Sequence, residues 1–164
     1  MTKKLVKGFT LIELIIVIAV IALLAAATFV AINPAKRVGD AQDAQRWQDI
    51  TAIADAYQAY LADNAGNLPT STVPYASGAT LMIASTTVTT ASAAGCEATS
   101  AANGASKFIN LSALVTGGYI GQIPSNPSYS TTQNTAYYFY RESTGKLIIG
   151  SCTKYGTNYP IVYR

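Results

Sequence analysis

The sequence predicts an α+β protein: one long N-terminal helix, membrane-spanning in its first half and amphipathic in its second, packed on a small antiparallel sheet. Three observations predict it. An almost unbroken apolar run extends from Leu14 to Ile32. From about Ala41 to Asn64, apolar residues then recur at spacings of three or four. The last third of the chain carries β-branched and Tyr-rich segments separated by Gly-, Asn- and Pro-containing turns.

Between Leu14 and Ile32 the one polar side chain is Thr28, whose hydroxyl can bond back to its own helix. About 19 residues at about 1.5 Å each cover about 28 Å, close to the hydrocarbon thickness of a bilayer. A cleaved secretory signal has a shorter apolar core followed by small residues, which Ala25-Ala26-Ala27 supplies by composition. Glu13, near the start of the span, weighs against that reading. Burying an ionised carboxylate in hydrocarbon costs several kcal/mol, so an intramembrane Glu needs a function and a partner.

Asn33-Pro34 predicts a break or kink, because proline removes a backbone donor and restricts the residue before it. Ala44, Trp47, Ile50, Ala54, Tyr57 and Leu61 then define the face expected against a globular head. Trp47 and Tyr57 are read as core residues rather than a binding stripe. Gly66 and Leu68-Pro69 stop the helix.

Residues 70 to 106 are rich in Thr, Ser, Ala and Gly, with short strand candidates at Thr80–Ile83 and Thr86–Thr89. Leu111 to Val115 reads as a short helix or strand. Ala136–Arg141 and Lys146–Gly150 flank a Gly-containing loop and predict a hairpin. Tyr159 to Tyr163 adds an edge strand marked by Pro160, for a sheet of three or four strands.

Composition narrows the chemistry. Histidine is absent, and no phosphate loop or nucleophile-elbow motif occurs. No catalytic residue and no cofactor is therefore assigned, and the chain is read as a non-enzyme. With no His and two cysteines, a zinc site is not expected.

The residues at the membrane entry are the most specific signal. Lys7-Gly8-Phe9-Thr10-Leu11-Ile12-Glu13-Leu14 resembles the processing site of type IV prepilins and the related pseudopilins. The resemblance implies that a prepilin peptidase and methyltransferase cuts between Gly8 and Phe9 and methylates the new Phe9 amine. It also implies a cleaved leader over 1–8, a polymerisation helix over 9–32, and an exported head over 33–164 that includes the amphipathic half of the helix. Glu13 falls on the fifth mature position, which that family reserves for glutamate, one helical turn from Phe9. In a bundle of such helices, the Phe9 amine of one subunit can pair with Glu13 of its neighbour and set their axial register.

Charge agrees with this division. The net charge of +3 comes from 11 basic against 8 acidic side chains, and Lys3, Lys4 and Lys7 precede the cut. Removing them leaves eight against eight. The leader lysines hold the N-terminus on the cytoplasmic side and send the head outward. No specific nucleic-acid surface follows from this balance.

The passage Leu114 through Ile149 also resembles the C-terminal portion of major pseudopilins, where an Ile-Pro turn precedes a Tyr-rich hairpin. There, carboxylates near an Asp-Pro can hold calcium; this chain has Asn126-Pro127 and, after Glu97, only Glu142. No metal ligand set is therefore assigned. The resemblance further implies a disulfide between Cys96 and Cys152, with two free thiols as the alternative. Closing that loop of about 57 residues is worth about 4 kcal/mol in the chain-entropy picture.

The function implied is that of a structural subunit of a type IV pilus-like filament. Its partners are other pilin subunits, the peptidase, an assembly platform with its ATPase, and the membrane. The precursor is expected in the cytoplasmic membrane as a single-pass protein, and the assembled filament outside the cell or in the periplasm. Two alternatives stand beside it: a pseudopilin of a type II secretion or competence apparatus, and a membrane-anchored adhesin or DNA receptor that never polymerises.

Overall fold

The structure is a computed structural model that describes residues 8–69, 80–84, 96, 108–128 and 134–164. Its elements in chain order are α1 (Leu11–Ile32), α2 (Pro34–Asp63), β1 (Thr80–Ala84), β2 (Phe108–Asn110), α3 (Ser112–Thr116), β3 (Asn134–Arg141), β4 (Leu147–Ser151) and β5 (Ile161–Tyr163). The strand candidate at Thr86–Thr89 lies outside the described residues. The chain divides into two compact units, Met1–Val38 and Gly39–Arg164, with the boundary inside α2.

In the first unit, Asn33 separates α1 from α2. It adopts the left-handed conformation, with φ 46° and ψ 74°, which ends α1. Its backbone and side-chain oxygens both accept the Lys36 amide. Pro34 opens α2 at the first helical position, where the missing N–H costs no hydrogen bond. The break expected at Asn33-Pro34 is therefore a left-handed residue followed by a capped helix start.

In the second unit, α2 ends at Asp63, and Gly66, with φ 80°, donates its amide back to the Leu61 carbonyl at 2.8 Å. The buried face of α2 carries Gly39, Arg46, Ile50, Ile53, Ala54 and Tyr57. At 3.6 residues per turn, Arg46 lies about 20° from Tyr57 around the helix and Trp47 about 80° away. Trp47 is accordingly 46% exposed and Ala44 is exposed, so neither belongs to the core as expected. Apolar spacing misplaced the stripe because its N-terminal part is built on a glycine and an arginine.

The sheet has five strands in the order β2-β1-β3-β4-β5. β1–β3, β3–β4 and β4–β5 pair antiparallel, whereas β1–β2 is parallel. The sheet is thus larger than the three or four strands expected. β2 has three residues, too few to show alternation, and a parallel pair needs the long connection available between Ala84 and Phe108. The segment Leu111–Val115 resolves as the helix α3. The hairpin lies where expected, with Gly145 at φ 93° in its turn.

Alternation along the strands gives the sheet two buried faces. Leu81, Ile83, Tyr137, Phe139, Ile149 and Val162 face α2, where Tyr57 meets Phe139 edge-on at 5.2 Å between ring centroids. Met82, Phe108, Tyr138, Cys96 and Cys152 form a second cluster. There Cys96 and Cys152 are joined in a disulfide, with 4.5 Å between their Cα atoms.

Candidate assembly site at the N-terminal helix

α1 contains 22 residues, of which Glu13 is the one charged side chain, and every side chain on it is exposed. A helix of this length rises about 33 Å, enough to cross the roughly 30 Å of a hydrocarbon core. It is long and apolar enough to cross a membrane. Thr28, its polar interruption, donates its hydroxyl to the Ala25 carbonyl at 2.9 Å, so no hydroxyl hydrogen is left for lipid.

Gly8 and Phe9, just before α1, are open. A Cβ on Gly8 would meet nothing within 4 Å, and Phe9 is 90% exposed.

Thr10 is the N-cap of α1, with extended φ −84° and ψ 150°. Its hydroxyl accepts the Glu13 amide at 3.3 Å. Glu13 reaches back, and its Oε2 accepts the Thr10 amide at 2.9 Å and the Thr10 hydroxyl at 2.7 Å. This reciprocal capping box satisfies amide donors that the first helical turn leaves without partners. Sequence reasoning singled out Gly8, Phe9 and Glu13 but gave Thr10 no role. The signal was present as Thr10-x-x-Glu13, a capping-box spacing directly before an apolar run.

Gly8, Phe9, Thr10 and Glu13 therefore lie within one turn of the start of α1. The carboxylate is held at the helix N-terminus, where the backbone dipole favours negative charge. The other assigned pair, Cys96 and Cys152, lies in the second unit and forms the disulfide described above. Among the described residues, no group of three or more His, Cys, Asp or Glu side chains is placed to hold a metal.

The second unit has its own polar cluster, centred on Arg46, which is 1% exposed. Its Nη1 pairs with Asp43, its Nε donates to Asn126 Oδ1 at 3.1 Å, and its Nη2 donates to the Ser128 hydroxyl. Asn126 passes the network on to Ser151 and Thr153, at 3.0 and 2.8 Å. Asp43 also accepts the amides of Gly156 and Tyr155, at 2.7 and 3.1 Å. Burial works against its charge, but the Gly156 and Tyr155 amides and Arg46 hold its carboxyl below the usual range. The cluster ties α2 to the loops after α3 and β4. Asn126, read above only as a departure from an Asp-Pro, is its hub.

Fold and site together define a class: an α+β head preceded by an exposed apolar helix whose first turn carries a capped glutamate. The family described as the prokaryotic N-terminal methylation motif matches residues 3–29. The chain carries that prepilin-type motif, which is consistent with a type IV pilin or pseudopilin and with a membrane-anchored precursor. No curated protein and no solved structure matches the chain.

Proposed function

We propose that this chain is a structural, non-enzymatic subunit of a type IV pilus-like surface filament. It enters the membrane as a precursor, is cut after Gly8 and methylated on Phe9, and polymerises through α1. The observation that carries the reading is the coincidence at one helix start of an open Gly8 and exposed Phe9, the carboxylate of Glu13, and an exposed helix otherwise apolar but for Thr28. An exposed apolar helix of this length needs either lipid or other copies of itself around it. Exchange of lipid for neighbouring helices supplies both environments in turn. Glu13 then offers an acceptor to the Phe9 amine of a neighbour, and a charge left unpaired in lipid favours entry into the filament.

Shearing surface fibres from cells and measuring the intact mass of their subunit tests this reading. The expected mass is that of a chain starting at N-methylated Phe9 with one disulfide. Subunits starting at Met1 or after Ala27 would reject it. Processed subunits confined to the periplasm in secreting cells would move the assignment to a secretion or competence pseudopilin.

A further inference from the structure

An open cleft of about 670 Å³ lies in the second unit between α2, α3 and the segment Gln122–Ser125. Asp49 lies on its wall, half-buried, with one carboxylate oxygen accepting the Tyr137 hydroxyl at 2.6 Å. No cation is in ion-pair contact with Asp49 among the described residues; the nearby guanidinium of Arg46 is committed to Asp43, Asn126 and Ser128. Burial pushes the Asp49 carboxyl above its ordinary value, and the Tyr137 hydroxyl offsets this only in part. A half-buried carboxylate without a countercharge, facing an open cleft, is a position where an incoming cation gains a charge-assisted bond. Among the described residues the rest of the lining is neutral: Gln45, Gln122 and Ser125 are exposed there, and Ile123 and Pro124 supply an apolar floor.

We propose that this cleft binds a primary ammonium carried on a hydroxylated skeleton, the chemistry of an amino sugar. Asp49 takes the ammonium in a charge-assisted bond. The amide and hydroxyl groups take the ring hydroxyls, and Ile123 and Pro124 lie against the C–H face of the ring. This division between one charged anchor and several neutral polar groups suits a small polar cation better than a fatty amine, which would leave the glutamines unused. The site is independent of the filament reading, since all of its residues lie outside α1.

The test is an NMR titration of the full chain in detergent micelles, following the side-chain amides of Gln45 and Gln122. Glucosamine should shift both signals, and glucose should bind at least about tenfold more weakly. Asp49→Asn keeps an acceptor for Tyr137, so the fold should hold, and glucosamine affinity should fall to that of glucose. Gln122→Ala, at an exposed position, should weaken glucosamine severalfold with an unchanged unfolding temperature. Equal binding of glucosamine and glucose, or native affinity in Asp49→Asn, overturns the proposal. An Nα-acetyl-lysine methylamide that binds as tightly as glucosamine overturns the hydroxylated-ligand part.

Discussion

The ring of Tyr155 lies directly on Gly39, so close that a Cβ added at residue 39 would come within 2.3 Å of it. Gly39 is buried although Tyr155 is 49% exposed, so the ring serves as a lid over the helix backbone. The adjoining Tyr155 amide donates to Asp43, one turn further along α2, which fixes the loop that carries the lid.

Gly39→Ala should therefore displace the Tyr155 ring. Overpacking costs about 1–3 kcal/mol, and the gain in helix propensity from Gly to Ala returns up to about 1 kcal/mol. A net destabilisation of up to about 2 kcal/mol is expected on denaturant unfolding. In a Tyr155→Ala background the same substitution should become neutral or stabilising, because the ring it strikes is gone. Additive effects of the two changes would show that the contact is not what limits residue 39.

Arg46 should be far less tolerant. Arg46→Ala strands Asp43, Asn126 and Ser128, and removing one partner of a buried pair costs about 3–5 kcal/mol. Arg46→Lys should recover little of this. A lysine ammonium cannot meet, with the planar fork of a guanidinium, a carboxylate, an amide oxygen and a hydroxyl at once. Chemical denaturation of the two variants checks this, and a lysine variant within about 1 kcal/mol of the native chain would overturn the need for the fork.

Stability should also fall on the alkaline side. Burial pushes the hydroxyls of Tyr57 and Tyr138 up to about 12. An unfolded tyrosine ionises near 10. The folded pKa is the higher one, so the contribution is complete below pH 10 and is lost as pH rises from 10 towards 12. Unfolding temperature should drop across that window, and tyrosinate absorbance should lag behind that of free tyrosine. Full ionisation of all tyrosines near pH 10 with the fold intact would contradict the burial.

How much of this was readable in the sequence depended on whether a residue's role repeats along the chain. The apolar span, the Ile50–Tyr57 stripe and the hairpin strands repeat with the period of their element and were legible. Arg46 was not, because a charged residue on a core face is justified only by Asp43, Asn126 and Ser128, of which two are more than 70 positions away. Trp47 was misplaced for the same reason: without Arg46 and Gly39 in the stripe, the apolar spacing centred one residue off. β2 stayed hidden because three residues carry no pattern until β1 lies beside them. At the N-terminus, Gly8, Phe9 and Glu13 were legible as a motif. The bonds from Thr10 to Glu13 belong to local helix chemistry and were readable but overlooked.

Those bonds allow the two roles of Glu13 to be separated. Glu13→Gln keeps a side-chain oxygen at the third helical position, which a capping box accepts, but removes the charge. Thr10→Val removes the hydroxyl that caps α1 but leaves the carboxylate. Loss of the cap is worth about 1 kcal/mol and should fray only the first turn. Loss of the charge withdraws the proposed partner of a neighbouring Phe9 amine, at about 3–5 kcal/mol for a buried contact, and recurs at every subunit. Both variants should insert in the membrane at native levels, since the glutamine makes the span easier to place in lipid. Fibres counted by electron microscopy should become scarce in Glu13→Gln and stay near native numbers in Thr10→Val. The reverse pattern would make Glu13 a helix cap and nothing more. Normal fibres in both would remove α1's first turn from assembly and favour a chain that is anchored without polymerising.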